Sequence, residues 1–289
     1  DTEFSISAGA IESRAFDATK PTIPFAQHNP DFDRYRNNNF SARLAQHFTG
    51  SHELGATVFY SEGTTHFDAG ATTDDVNQQT LQAYSVYSRN RLGANWTSFV
   101  RLGTTRDNSS STGAFPGYFR TDQNQATWQN DFGTPIGTVV AGLEYLDQGV
   151  ASSTLYQQTG RTVKSAFAGY QGDYGPHALQ VNARRDDNSQ YGGQSTGSAG
   201  YSYRFDSGLR ARASAGTAFK APTFNDLYFP DLAPFFFSNP NLLPERSRSK
   251  EAGVDYDGAK QYFSATLFRN DISDLITVYT DPATFVSTT

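Results

Sequence analysis

Cysteine is absent from the 289 residues, and so is methionine. The first absence excludes a disulfide framework, a thiolate metal site and a cysteine nucleophile. The second leads to the expectation that the chain is processed or is a piece of something longer, and no targeting segment is visible. Basic charge is also short: 23 Lys and Arg stand against 29 Asp and Glu, for a net charge of -6. A nucleic-acid-binding surface would need a basic stripe, so none is expected. Long apolar runs are missing too. The longest, Leu232 to Phe237, contains a proline and falls far short of the ~18 residues of a membrane-crossing helix. A helical membrane protein is thereby excluded. A membrane β-barrel is not, because its signal per strand is much weaker.

What the chain does have is aromatic and small polar residues. Tyr, Phe and Trp make up 14% of it and charged residues only 18%, with a mean hydropathy of -0.57. Good helix formers are scarce over long windows, and Thr, Ser, Gly, Tyr and Phe recur throughout. That mixture favours strands and turns. It suits a soluble sandwich, or a barrel wet inside and apolar outside.

Period-2 alternation is the strand signature. Leu179, Val181 and Ala183 alternate with Gln180, Asn182 and Arg184. Ala199, Tyr201, Tyr203 and Phe205 alternate with small or cationic residues, as do Leu209, Ala211, Ala213 and Ala215, and Phe263, Ala265 and Leu267 alternate with Ser264, Thr266 and Phe268. Less clean runs cover 40–48, 54–60, 96–102 and 138–146, and weaker ones 3–13, 81–89, 121–130, 163–170 and 249–256. These predict thirteen strands of roughly nine to eleven residues, the length of a tilted membrane crossing. The links between them are expected to alternate. Those at 49–53, 90–95, 131–137, 171–177, 206–208 and 257–259 are short; those at 14–39, 61–80, 103–120, 147–162, 185–196 and 217–248 are long. Tight turns on one side and long loops on the other characterise an up-and-down transmembrane barrel, and a Greek-key sandwich has no reason to keep that pattern.

Arg43, Arg101, Arg184, Arg204, Arg210 and Arg212 fall on the non-apolar face of their strands. On a single strand this fits the solvated face of a soluble sheet. Repeated over most strands, with no second apolar layer, it points to a wet interior. Phe40, Phe48, Tyr60, Tyr84, Tyr87, Tyr145, Tyr203, Phe205 and Tyr256 lie near strand ends, as interfacial girdles would, although aromatics favour strands in general.

Nothing reads as catalytic. The five histidines lack HExxH spacing, and there is no G-x-S-x-G elbow or phosphate-cradling glycine loop. The sharpest local feature is acidic. Asp17, Asp31 and Asp33 lie in the first long link, and Asp68, Asp74 and Asp75 in the second. In an extended segment Asp31 and Asp33 point to one side. Gathered at one rim, such carboxylates would repel one another and favour protonation. A hard cation with six to eight oxygen ligands removes that repulsion, and Ca²⁺ fits best. The alternative is a set of solvated loop acids. The segment 221–244, containing FNDLYFPDLAPFFF, is read as a loop that meets a ligand or packs on itself.

Residues 216–228 read GTAFKAPTFNDLY, 239–256 read NPNLLPERSRSKEAGVDY, and 262–276 read YFSATLFRNDISDLI. In this order and spacing they resemble the barrel of TonB-dependent outer-membrane receptors. The stretch ARRDDNSQYG at 183–192 and the first two long links are most similar to the cobalamin (vitamin B12) receptors of that superfamily. The resemblance implies an all-β, up-and-down antiparallel transmembrane barrel. Residues 1–289 would be part of one barrel domain, about thirteen strands of a wall of twenty-two, without the plug domain. It implies active transport of cobalamin or another corrinoid across the outer membrane of a Gram-negative bacterium, energised by TonB acting through a plug that this chain lacks. Outer-membrane lipid is then a partner and no enzymatic activity is implied. It also implies calcium as a structural cofactor of the extracellular loops, held by Asp17, Asp31, Asp33, Asp68 and Asp75 with the backbone carbonyl of Phe67. Asp74 is an alternative to Asp75. Other cargos, such as a ferric siderophore or a sugar, and a soluble all-β module such as a lectin-like domain remain as competing readings.

Overall fold

The computed structural model describes residues 1–14, 16–22, 28–230, 236–281 and 287–288. Thirteen long strands form one antiparallel sheet, each hydrogen-bonded to the next long strand in the chain. They are β1 (Thr2–Ser13), β2 (Tyr35–Thr49), β3 (His52–Phe67), β4 (Asp75–Arg91), β5 (Trp96–Thr112), β6 (Gly117–Thr134), β7 (Gly137–Ser152), β8 (Gly160–Tyr174), β9 (His177–Asn188), β10 (Gly192–Arg204), β11 (Leu209–Lys220), β13 (Glu245–Gly258) and β14 (Gln261–Ser273). A short helix, α1 (Phe224–Tyr228), and the two-residue strand β12 (Phe236–Phe237) lie between β11 and β13. Strand β12 joins β15 (Tyr279–Thr280) and β16 (Ser287–Thr288) in a small separate sheet. The described residues divide into two compact units. One comprises Asp1–Arg89, Val100–Ala126 and Leu146–Gly160; the other comprises Asn90–Phe99, Thr127–Tyr145 and Arg161–Thr289.

The alternation predicted from sequence is realised in the register. In an antiparallel pair, directly opposed residues share a face. In the second unit Leu179, Tyr201, Ala213, Ala252 and Leu267 oppose one another in series across β9, β10, β11, β13 and β14. Ala211, Val254 and Ala265 form the neighbouring row. In the first unit Phe4, Leu44 and Ala56 form one row, and Ile6, Ala42 and Val58 another. These apolar rows stand exposed, as at Leu179 and Tyr201 in the second unit and Leu44 in the first.

The opposite face is polar and cross-linked. Arg210 and Arg212 converge on Asp255 Oδ2, with Arg210 Nη2 at 2.8 Å and Arg212 Nε at 3.1 Å. Arg184 donates to Glu144 Oε1 at 2.8 Å, to Asp186 Oδ1 at 2.8 Å and to Ser165 Oγ at 2.8 Å. Arg101 donates to Ser85 Oγ at 3.2 Å, and Ser85 shares a hydrogen bond with Thr57 Oγ1. Arg43 donates to Tyr87 Oη at 3.0 Å. Among the described residues the buried apolar side chains are few: Ala45, Tyr87, Val150, Phe224 and Leu227, with the prolines Pro222 and Pro244. The described residues form no dry middle layer, which goes against the competing reading of a soluble sandwich or lectin-like module. A sheet that exposes its apolar rows and cross-links its polar face has no core of the soluble kind.

Three expectations change in detail. The strands run well past the predicted bounds, so the links shorten. Residues 61–80 collapse to 68–74, 103–120 to 113–116, and 185–196 to 189–191. Polar side chains sustain the pairing there: Ser109 and Ser111 both donate to Asn77 Oδ1. With 189–191 now shorter than 205–208, the short–long alternation no longer holds at every link. Tyr87 is no girdle residue, because its ring lies on the polar face and donates to Glu53 Oε1 at 2.7 Å. The segment read as a loop contains α1, capped by a Thr223–Asp226 capping box. Phe224 and Leu227 are buried beneath it, the Arg161 guanidinium lies 4.8 Å from the Phe224 ring centroid, and Arg161 donates to Pro222 O. Residues 231–235 of the same aromatic stretch lie outside the described residues. Girdle-like pairs do occur beside short links: Trp96 stacks on Phe132 at 5.7 Å, and Tyr203 packs edge-on against His177 and Phe205.

Candidate metal centre

The two links that sequence reading singled out, 14–34 and 68–74, are tied together by named bonds within the first unit. Asp33 N donates to Phe16 O at 2.9 Å, and Asp33 Oδ2 accepts from Ala18 N at 2.7 Å. That pair closes the first link on itself and brings Asp17 beside Asp33. Asn29 Nδ2 donates to Asp31 Oδ2 at 2.9 Å and to Thr73 O at 3.4 Å, which joins one link to the other. His66 N donates to Arg34 O at 2.8 Å, so Phe67 at the end of β3 and Asp68 after it are carried to the same place.

Four of the predicted aspartates meet there. Ligand atoms of Asp31, Asp33 and Asp68 lie within 4.8 Å of one another, and so do those of Asp17, His28 and Asp68. Two oxygens held by one calcium ion at about 2.3–2.6 Å can stand up to about 5 Å apart. The separations therefore suit joint coordination. Asp33 is 3% exposed and the Asp68 side chain 2%. Asp68 Oδ2 is buried without a hydrogen-bond partner, as is His28 Nδ1. A buried polar atom left without a partner costs free energy, so such atoms call for an explanation. Desolvation, followed by the carboxylates of Asp68, Asp33, Asp74 and Asp17, pushes the Asp31 carboxyl above the usual aspartate range. The site thus concentrates negative charge that, among the described residues, no Lys or Arg ion pair reaches.

Asp75 and Asp74 are placed differently. Asp75, the first residue of β4, is 1% exposed. Its Oδ1 accepts from Ala114 N at 2.6 Å, and its Oδ2 from Ala69 N at 2.9 Å, Gly70 N at 2.8 Å and Thr73 Oγ1 at 3.0 Å. Four donors occupy this carboxylate, and it is outside both clusters. Its place is that of a clasp for the 68–74 link. Gly113 beside it has φ +108, and a Cβ there would collide with the Asp75 carboxylate, so glycine is what lets Ala114 N reach it. Asp74 pairs with His66 Nδ1 at 2.8 Å and is exposed. His28 was not anticipated. The available signal was its position three residues before the D-x-D of the same link.

Comparisons with known proteins agree with this architecture. Residues 6–289 match the model of the family described as TonB dependent receptor-like, beta-barrel. The chain is 28% identical over 260 residues to the vitamin B12 transporter BtuB of Photobacterium profundum, covering 88% of this chain and 41% of that protein. It is 31% identical over 211 residues to the protein of the same name from Vibrio vulnificus, covering 69% of this chain and 33% of that one. The chain therefore spans well under half the length of these relatives. Among solved structures, the siderophore receptor PirA from Pseudomonas aeruginosa aligns with a TM-score of 0.74 at 15% identity, over 98% of this chain and 53% of that one. The hemophore receptor HasR of Serratia marcescens aligns with a TM-score of 0.73 at 16% identity, over 95% of this chain and 51% of that one. At such identities the structural likeness bears on the fold alone. Sheet, register and family match together show that the chain belongs to the TonB-dependent receptor β-barrel family.

Proposed function

We propose that this chain supplies part of the wall and the capture rim of an outer-membrane receptor for a corrinoid. Residues 1–289 form part of one barrel domain in this reading. The names of the two relatives support the cargo. The apolar rows would meet outer-membrane lipid, and the cross-linked polar face would line a wet interior. Uptake would draw on TonB, as the family's name implies, through a plug domain outside this chain.

One observation carries the rim's role: Asp17, Asp31, Asp33 and Asp68 converge, and Asp68 Oδ2 is buried without a partner. These four carboxylates fit a calcium ion in charge and in donor type, and the orphaned oxygen is what a cation would satisfy. Phe67 carbonyl is a further candidate ligand from its place beside Asp68. Asp75 supports the same site as a clasp. Calcium would supply positive charge that lets the two links hold one arrangement before ligand arrives. Preordering of that kind raises affinity, because less ordering is left to binding. Cyanocobalamin binding to the receptor in detergent, followed by tryptophan emission with and without calcium, tests the reading. Calcium-dependent binding that is lost when Asp31 and Asp33 are both changed to Ala is expected. Preferential binding of a ferric siderophore or haem would refute the cargo.

A further inference from the structure

Arg161, the second residue of β8, and Asn188, the last of β9, lie at one end of the polar face in the second unit. Val163 opposes Asn188, and Ser189 exchanges hydrogen bonds with Thr162, so Arg161 and Gln190 come next in the same pairing. The alternation that turns Arg184 and Asp186 to the polar face turns Asn188 there too. Arg161 donates to Gln190 Oε1 at 3.3 Å and to Pro222 O at 2.8 Å, both neutral acceptors. Asn188 is 3% exposed, and its Oδ1 accepts from Gln190 N at 2.8 Å. These bonds fix the orientation of both amides, because turning either one round would set its NH₂ group against another donor. Asn188 Nδ2 and Gln190 Nε2 are then two buried donors without a partner. The Tyr191 hydroxyl lies near Asn188 without closing a hydrogen bond to Nδ2.

We propose that Arg161, Asn188 and Gln190 form an anion subsite that takes a compact oxyanion of the phosphate class, as the free ion or as a phosphodiester of a larger solute. Each orphaned amide lacks an acceptor, and the group beside them is a cation. A ligand that brings both acceptors and negative charge answers all three side chains at once. A phosphate group offers several oxygens in different directions, and the guanidinium fork is well matched to it. A cation would find no open acceptor on these residues, since Asn188 Oδ1 and Gln190 Oε1 are already engaged. Both nitrogens are closed to bulk solvent, so the occupant is the size of one such group rather than an extended chain. Asp186, on the same face, does not fill the role, because Ser165 and Arg184 hold its carboxylate. The polar-face setting means that the ligand arrives from the aqueous side and not from lipid. The inference uses no residue of the aspartate cluster and holds for any cargo.

The alternative is a buried water that satisfies the two amides. Calorimetry of the full-length receptor in detergent separates them, with inorganic phosphate and dimethyl phosphate titrated separately and chloride as the control. At least one phosphate probe is expected to bind, with chloride weaker by about tenfold or more. Whichever probe binds more tightly identifies the source, free ion or diester. Arg161→Gln removes the charge and keeps a donor, and Asn188→Asp puts a carboxylate where a donor stood. Each should weaken phosphate by more than about tenfold, while Lys164→Gln, at an exposed cation of the same strand, should stay within about twofold. Unaltered circular dichroism confirms folding. Should Asn188→Asp fail that check, Gln190→Met removes the other orphaned donor at similar size, and the same loss is expected. The proposal is overturned if neither phosphate binds, if chloride binds as tightly, or if the Arg161 and amide variants bind phosphate as the parent does.

Discussion

Gly55 lies where the Tyr87 ring passes over the polar face, and a Cβ built on it would fall inside the ring, against Cζ, Cε1 and Oη. Ala45, opposite Gly55 in β2, is fully buried on the same face. Gly55→Ala must therefore displace the ring. Overpacking of this kind costs about 1–3 kcal/mol. Moving Tyr87 also strains its 2.7 Å hydrogen bond to Glu53, worth about 1 kcal/mol. Replacing glycine inside a strand gives back about 0.5–1 kcal/mol of backbone entropy. The net loss is about 1–3 kcal/mol, roughly a 5- to 150-fold shift in the unfolding equilibrium. Reversible urea unfolding in phospholipid vesicles, followed by emission of Trp96 and Trp128, measures it. In a Tyr87→Ala background the clash is gone, and the same Gly55→Ala change should be neutral or stabilising by about 0.5–1 kcal/mol. An equal cost in both backgrounds would refute the account, because it would mean that something other than the ring limits the space.

Val181→Arg, on the apolar face, should destabilise the membrane-inserted protein by up to about 2–4 kcal/mol, whereas Asn182→Arg on the polar face should be tolerated; equal effects in the same unfolding assay would contradict the facing. Asp75→Asn should speed amide hydrogen exchange at Ala69, Gly70 and Ala114 by about tenfold or more, since it removes the charge that four donors share. Unchanged protection would show that the clasp does not hold the link. Arg184→Met leaves Asp186 and Glu144 without their cation, and should cost about 2 kcal/mol once partial solvent exposure is discounted. Pairing it with Asp186→Asn should recover part of that loss. Asp31→Asn removes a carboxylate from a crowded set, so it should slow amide exchange in the cation-free links while weakening calcium binding in calorimetry.

The strand count and facing were legible because both follow from a period of two residues that the register preserves. Leu179, Tyr201, Ala213, Ala252 and Leu267 are picked out by alternation alone, and they align because each neighbour in the sheet is the neighbour in sequence. Strand ends were less legible. Ser109, Ser111 and Asn77 look like loop residues by composition, yet they pair across strands where both faces are polar. There the alternation carries no contrast, and the ladder continues on backbone hydrogen bonds that sequence does not reveal. Tyr87 was misplaced for a related reason. A tyrosine near a strand end fits either face, and what selects the polar one is the missing side chain at Gly55 and the carboxylate of Glu53.

The aspartates of the site were readable as types and not as roles. Asp68 and Asp75 stand seven positions apart, one opening the link and the other just past its end, with the same chemistry, yet one leaves a buried oxygen without a hydrogen bond and the other accepts four. The difference is decided by amides from elsewhere, above all Ala114, which a positive φ at Gly113 delivers from the 113–116 link. A carboxylate already holding Ala69, Gly70, Thr73 and Ala114 has little left to give a cation without loosening the turn. Asp75 is held by four hydrogen bonds at the end of the link, whereas Asp68, at its start, stands near Asp17, His28, Asp31 and Asp33 with no hydrogen bond to its Oδ2. His28 escaped notice because a lone histidine in a loop has no spacing to declare it. Its meaning comes only from the fold, which places its ring between two carboxylates forty residues and more apart from one another.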